Sequence, residues 1–300
     1  MHSFAVLSDT SPVTTARLTR MIVHRDPQAL LFLGDHHPRR FGVSGMSARS
    51  WRRSVGAPLR DAVIAVPGNH DHDRSNGLAG WSKIVDGAWP RGVRREGDLH
   101  CFYADAGAVR FIGLDTGPEA QGVSDEHLDW LEALPVEHTV PVVALAHAPL
   151  APVSVHIGRS QDIDPERRDR LAALLARLGV RLYLCGHEHL YAHRLVPAGE
   201  EAVIHQVTLG GGGASSYQVM TPDVVASASE THIGLLHARR DGVVLSVLSD
   251  RGEEIDVVRV PIAADAAPHP AARTPQAMRN GNGNGNGRRP NVQSPYPSAG

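Results

Sequence analysis

Pro67-Gly68-Asn69-His70-Asp71 follows the apolar run Ala62-Val63-Ile64-Ala65-Val66. The run has the length of a buried strand, and the pentapeptide stands where such a strand empties into a loop. Pro67 has no N–H to give to a ladder, and Gly68 permits a sharp backbone turn. An amide oxygen, an imidazole and a carboxylate then follow in consecutive positions. The first can bind a hard cation, the second can bind metal or move a proton, and the third can orient the second. Taken alone, the stretch also reads as an ordinary turn, because Asn and His after Gly are common there. Four other apolar runs that end in the same kind of residue tip the reading towards a site.

Those runs lie on both sides of it. Phe4-Ala5-Val6-Leu7 ends at Ser8-Asp9, and Ala29-Leu30-Leu31-Phe32-Leu33 ends at Gly34-Asp35. Pro141-Val142-Val143-Ala144-Leu145-Ala146 ends at His147, and Val180-Arg181-Leu182-Tyr183-Leu184-Cys185 ends at Gly186-His187-Glu188-His189. Between the first two runs, Leu18, Met21 and Ile22 recur at helical spacing within Thr14 to Arg25. Ser124, followed by acids and by Leu128, Leu131 and Leu134, marks a second helix; Glu166 to Leu178, closed by Gly179, marks a third. Strand-helix-strand alternation of this kind predicts an α/β fold with buried parallel or mixed sheets. From His100 the pattern turns antiparallel, with a hairpin turn at Ala106-Gly107. Further strands are expected over Ala202–Leu209 and Gly234–His237, with Val243–Leu248 and Ile255–Val260 as a terminal pair. Residues 38–60 read as an Arg-rich loop and a short helix, residues 72–98 as an irregular surface excursion, and residues 150–164 as a loop.

Strand ends of an α/β sheet converge on one edge, where such folds place their sites. Asp9, Asp35, Asn69, His147, His187 and His189 can therefore meet although they are distant in sequence. Mixed carboxylate, amide and imidazole donors suit Mn, Fe, Zn, Co or Ni better than a thiolate-type structural site. Six donors exceed what one ion takes while keeping an open position. Two ions sharing a carboxylate, roughly 3.5–4 Å apart, would use them all, and such a pair serves in-line displacement at phosphorus. The simpler alternatives are turn-forming aspartates and a satisfied core histidine at His147. Two imidazoles flanking an acid at a buried strand end are harder to explain by packing.

At 300 residues the chain can hold one large domain or two small ones. The pattern collapses after Ile262, so residues 1–262 are expected to fold and residues 263–300, with their Asn280-to-Gly287 repeat, to form a disordered tail. A net charge of -2 offers no basic excess for a nucleic-acid surface, and a small phosphate ester is the expected partner. No signal peptide and no apolar run long enough to span a bilayer are evident, which points to the cytoplasm. Cys101 and Cys185 read as buried free thiols, with a disulfide as the alternative. Gly210 to Gly213 lacks the lysine and hydroxyl residue of a phosphate-cradling loop.

In order and spacing, Asp9, Gly34-Asp35, Gly68-Asn69-His70-Asp71, His147 and Gly186-His187-Glu188-His189 resemble the motif set of the calcineurin-like metallophosphoesterase superfamily. Leu114-Asp115-Thr116, the helix with Trp130-Leu131, the glycine run and Tyr191 are similar to landmarks of the purple-acid-phosphatase-like branch. The resemblance implies a four-layer α-β-β-α sandwich of two packed mixed sheets with helices outside. It implies hydrolysis of phosphomonoesters or diesters by a metal-bound hydroxide attacking in line at phosphorus. Two divalent or trivalent transition-metal ions are implied, Mn, Fe or Zn, with Ni or Co as further options. Asp35 would bridge them, Asp9 and His189 would complete one site, and Asn69, His147 and His187 the other. His70 would stabilise the transition state or protonate the leaving oxygen, and Asp71 would hold its imidazole.

One position departs from the pattern. The superfamily usually carries Asp-x-His at its first motif, and here Asp9 is followed by Thr10-Ser11. Purple acid phosphatases replace that histidine with a tyrosine three residues past the bridging aspartate, a position held here by Pro38. His36 or His37 is the candidate substitute, against the simpler reading of both as partly exposed loop residues. The departure keeps a second function in view: a catalytically impaired metal-binding protein of the same fold with a binding or regulatory role. His72, His156, His193 and His205 are further candidates for lining the substrate mouth, and Asp115-Thr116 for bonding neighbouring loops.

Overall fold

Alternation along the strands assigns each apolar residue to a layer. In β1 (His2–Leu7), Phe4 and Val6 face one core while Ala5 and Leu7 face another. The same split holds in β2 (Ala29–Phe32) and β3 (Val63–Ala65): Leu31 and Ile64 point one way, Leu30, Phe32, Val63 and Ala65 the other. A strand buried on both faces must sit between two layers. The computed structural model describes residues 2–11, 14–36, 62–72, 76–136, 140–199 and 202–262. All fall within one unit, Met1–Asp265. The expected loop and short helix of residues 38–60 and the expected tail lie outside the described residues, and His37 and Pro38 with them.

The outer core over β1–β3 is closed by α1 (Thr15–Val23), through Leu18 and Ile22, and by α2 (Ala79–Asp86), through Trp81 and Val85. A second sheet contains β4 (Arg94–Gly97), β5 (Phe102–Asp105), β6 (Arg110–Leu114), β7 (Val142–Ala146), β8 (Val180–Cys185), β9 (Tyr191–Pro197), β10 (Val203–Leu209) and β11 (Ala226–Ala228). Val143, Leu145, Leu182 and Leu184 face the first sheet. Their neighbours Ala144, Ala146, Tyr183 and Cys185 face α3 (Asp125–Ala133) and α4 (Pro165–Arg177). Helices, sheet, sheet and helices thus make the expected four layers.

The first sheet is completed by β12 (His232–Arg239), β13 (Gly242–Ser249) and β14 (Glu254–Pro261), in the order β14-β13-β12-β1-β2-β3. The second runs β11-β9-β10-β8-β7-β6-β5-β4. Both are mixed. β1, β2 and β3 are parallel in one, and β6, β7, β8 and β10 in the other. Parallel strands put their carboxyl ends on one rim, which brings five motif-bearing loops together.

Helix ends follow their sequence signals. Ser124 Oγ accepts the His127 N–H at 3.3 Å, and Asp164 accepts the Arg167 N–H at 3.0 Å ahead of Pro165. Within residues 72–98 the structure corrects the expectation of an irregular excursion. Those residues supply α2 and β4, and Trp81 is among the largest fully buried side chains. Gly80 inside it and Gly77 and Gly87 beside it mask the pattern of an eight-residue helix whose stability comes from packing. The strands β9 and β11 were not anticipated either. Residues 150–164 include a short 3-10 turn, Ser160–Ile163, and the buried Val153 and Ser154. Cys101 and Cys185 are buried and free, and burial pushes both thiols far up. No helix among the described residues is long and apolar enough to cross a membrane.

Candidate metal centre

Three of the motif residues take a backbone conformation that side chains disfavour: φ is +51° at Asp9, +59° at Asp35 and +67° at His187. Residues held in such regions cost energy and persist where surrounding contacts over-determine them. Here glycines make those contacts possible. A Cβ on Gly68 would lie 2.2 Å from Asp35 Oδ1, and a Cβ on Gly186 would lie 2.5 Å from Asp9 Oδ2. The glycine before each turn is what lets the neighbouring loop close onto the carboxylate.

The loops then interlock. The Asp9 N–H donates to the Gly34 carbonyl at 3.1 Å, and the Thr10 N–H to the Asp35 carbonyl at 2.9 Å. Asp35 Oδ1 accepts the His70 N–H at 2.8 Å, while Asp35 Oδ2 lies 3.3 Å from His147 Nε2. Asn69 Oδ1 is 3.1 Å from the same nitrogen. Nδ1 of His147 donates to the Leu33 carbonyl at 2.8 Å, which fixes the ring and turns Nε2 towards the carboxylates. Asp9 Oδ2 accepts the His187 N–H at 3.0 Å, and Asp9 Oδ1 lies 3.4 Å from His189 Nε2. The His187 ring meets that of His147 edge-on at 5.1 Å. All six expected donors therefore lie on one rim, with Asp9, Asp35 and His147 as the tightest trio, their ligand atoms within 4.8 Å of one another.

Buried charges shape this cluster. Burial resists a charge on Asp9, but the His189 ring beside it and His147 hold its carboxyl below the ordinary range. Burial likewise resists a charge on His147, yet Asp35 and Asp9 raise it to about 10. His187 goes the other way: burial, with His147 and His156 nearby, lowers it to about 3 and keeps the ring neutral. His187 is thereby in the neutral form that binds metal, whereas a cation at His147 would have to displace its Nε2 proton.

Two expectations need correction. Asp71 does not orient the His70 imidazole. It is buried, and its oxygens accept the N–H groups of Asp35 at 2.9 Å, Gly68 at 2.9 Å and His36 at 3.3 Å. Burial and the adjacent Asp35 push its carboxyl up to about 7. His70 is more than half exposed, with Nε2 4.0 Å from Asp35 Oδ2, so it faces the site from the open side. His36, in turn, is not a partly exposed loop residue: it is buried, and its Nδ1 lies 2.8 Å from the Thr10 hydroxyl.

The family profile for calcineurin-like phosphoesterases matches residues 2–191. This chain belongs to the calcineurin-like phosphoesterase family. Solved structures agree on the fold. The GAP50 anchor in the inner membrane complex of Plasmodium is 17% identical with a TM-score of 0.61, over 87% of this chain and 89% of that one. The purple acid phosphatase PPD1 of yellow lupin (Lupinus luteus) seeds is 14% identical with a TM-score of 0.62, over 91% of this chain and 57% of that one. PhoD is 12% identical with a TM-score of 0.52, over 86% and 71%. A comparison with curated proteins gave no significant match.

The residues fit the cation that such a family site implies. Asp9 Oδ1 is a buried carboxylate oxygen that faces the cluster, with the His189 ring beside it at 3.4 Å and no well-formed hydrogen bond among the described residues. An oxygen in that position gains a partner when an ion binds.

Other side chains support the centre without a motif to announce them. Glu188 accepts the Val153 N–H at 2.8 Å and the Ser154 N–H and Oγ at 2.7 and 2.6 Å, which ties the loop after β7 to the His187–His189 turn. His156, on that loop, stacks on His187 with ring centroids 4.0 Å apart. Tyr217 stacks on His189. The acid between two histidines was the available signal for Glu188; nothing in the pattern marks Tyr217. His72 instead bonds Asp115 at 3.1 Å, and the Thr116 hydroxyl accepts the Ala148 N–H at 3.3 Å. His193 and His205 bond each other at 3.0 Å.

Proposed function

We propose that this family member is a metal-dependent hydrolase of phosphate esters. The observation that carries the reading is the convergence of Asp9, Asp35 and His147, with a buried Asp9 oxygen left for a cation. Asp35 turns Oδ2 to His147 of one position and has a ligand oxygen within 4.8 Å of one on Asp9 of the other, which would suit a carboxylate shared by two ions. Asp9 and His189 would complete one position, and Asn69, His147 and His187 the other. Bound transition-metal ions, with Mn, Fe or Zn the best matched to these donors, would supply charge neutralisation and Lewis acidity for in-line displacement at phosphorus. His70 would meet the substrate from the open side, to stabilise charge on the transferring group or give a proton to the leaving oxygen. Asp71 keeps the loops that carry Asp35 and Asn69 in register.

A small phosphate ester, mono- or diester, is the proposed substrate. The purple-acid-phosphatase-like branch is supported by the fold likeness to the lupin protein and by Tyr191 two residues past His189. The test is to measure metal per chain and then assay chromogenic phosphate mono- and diesters with added Mn2+, for the parent and His70→Ala. Turnover that needs the metal and falls in His70→Ala supports the reading. No turnover with any metal overturns it.

A second reading has its own observation. Ser11 stands where an imidazole is usual, and the chain is similar in fold to a protein described as an anchor. A metal-binding protein without turnover would still load ions but hydrolyse neither ester. Ser11→His separates the two readings: a rise in metal occupancy shows an impaired first site, and two ions already bound by the parent removes the motive for this reading.

A further inference from the structure

On the reading above, His189 belongs to the metal position that lacks a donor at Ser11, so the aim of its ring matters more than usual. One coil segment controls that aim. Nδ1 of His189 donates to the Ser215 carbonyl at 2.9 Å, and the His189 carbonyl accepts the Tyr217 N–H at 3.0 Å. The Tyr217 ring lies flat on the imidazole, with centroids 4.4 Å apart and 16° between planes.

The segment is itself tied down on each side. The Ala214 N–H donates to the Asp9 carbonyl at 3.1 Å, Ser229 Oγ to the Tyr217 carbonyl at 2.7 Å, and the Met220 N–H to the Val153 carbonyl at 2.7 Å. Tyr217 also meets the His156 ring edge-on at 5.7 Å. A ring on such a tethered segment restricts its neighbour rather than following it.

We infer that Tyr217 is a positioning residue for the metal held by Asp9, Asp35 and His189. Its ring and the Ser215 carbonyl hold the imidazole in the one rotamer that turns Nε2 to Asp9, and so offset the donor that Ser11 does not supply. Partners that orient a ligand histidine are worth about 10- to 100-fold in metal affinity when removed. The effect should fall on this position and leave the one built from Asn69, His147 and His187 unchanged. The stacking face, not the phenol hydroxyl, does the positioning.

The experiment titrates the metal-depleted full chain with Mn2+ by calorimetry, for the parent, Tyr217→Leu, Tyr217→Phe, His189→Ala and the double variant Tyr217→Leu/His189→Ala. Two binding steps are expected in the parent. Tyr217→Leu should weaken one of them about tenfold or more, Tyr217→Phe should bind like the parent, and Tyr217→Leu should have no further effect once His189 is Ala. An unchanged Tyr217→Leu isotherm beside two-step binding by the parent overturns this inference alone. So does a Tyr217→Phe isotherm as weak as that of Tyr217→Leu, or an equal loss in the His189→Ala background. A parent that takes up no Mn2+ overturns the metal reading and this inference with it.

Discussion

Asp71 Oδ2 accepts the backbone N–H of Asp35 at 2.9 Å, across 36 residues of sequence. The same carboxylate takes the Gly68 and His36 N–H groups, so one buried side chain satisfies three donors from two strand-end turns. Asp71 thereby sets the distance between the Asp35 and Asn69 loops. Its neighbour His70 makes a different kind of contribution, from the open side of the site.

That difference separates two substitutions. Asp71→Ala leaves buried N–H groups without acceptors, each costing about 1–3 kcal/mol, so the chain should lose several kcal/mol of stability and its metal affinity together. His70→Ala removes a half-exposed ring and should leave the melting temperature and metal stoichiometry unchanged while kcat falls by about 10²–10⁴. Thermal melts, metal titration and a steady-state assay on both variants check this. A parent-like Asp71→Ala melt would mean that the loops do not depend on it.

Gly68 should tolerate no side chain. Its Cβ would fall 2.2 Å from Asp35 Oδ1, inside any real contact distance. Gly68→Ala should therefore displace Asp35 and weaken metal binding by at least about tenfold, the scale set by other losses of ligand orientation. Gly80, in α2, has open space around its Cβ position. Gly80→Ala should raise stability by up to about 1 kcal/mol through helix propensity and leave metal binding alone. Equal metal isotherms for the two variants would contradict the packing argument.

Much of this was legible in the sequence, and the boundary has a physical cause. Strand-end residues such as Asp9, Asp35 and His147 could be placed on one rim because each follows an apolar run buried on both faces, and parallel strands share an edge. The part played by Asp71 was not legible. Adjacency suggested that it serves His70, whereas a carboxylate buried among backbone N–H groups binds whichever donors the fold brings from 36 residues away. Tyr217 was invisible for a related reason: it sits in coil without periodicity, and its contact with His189 exists only once β9, β10 and the segment after β10 are folded. The α2 helix was missed because three glycines mask a segment held by the burial of Trp81.

Glu188 offers a third test. It is fully buried and anchors Val153 and Ser154 on the loop after β7. Glu188→Ala should destabilise the chain by about 2–4 kcal/mol, since charged hydrogen bonds are lost and their donors orphaned. Proteolysis within residues 150–159 should rise in parallel. A variant with parent-like stability and protease resistance would show that the loop stands without it.

Acid should weaken the fold through His232. Burial lowers this ring to about 4, against the pull of the Glu230 carbonyl, and its Nε2 has no partner among the described residues. The unfolded chain binds the proton near the ordinary value of about 6.5, so it holds more protons than the folded chain between the two values. Stability is thus fully present above about pH 6.5 and is lost as pH falls towards 4, by up to about 3 kcal/mol from this residue. His232→Leu should flatten the slope of unfolding free energy across that window, read from denaturant melts at several pH values. An unchanged slope would assign the acid sensitivity to other groups.

We propose above that Asp9, Asp35 and His147 form part of a metal centre that hydrolyses phosphate esters. Its most direct test is turnover of chromogenic phosphate mono- and diesters by the full chain, before and after metal depletion and re-addition of Mn2+, beside Asp35→Asn. Turnover should disappear on depletion, return with Mn2+, and be absent from Asp35→Asn at any metal concentration. Turnover indifferent to metal, or retained in Asp35→Asn, would contradict it.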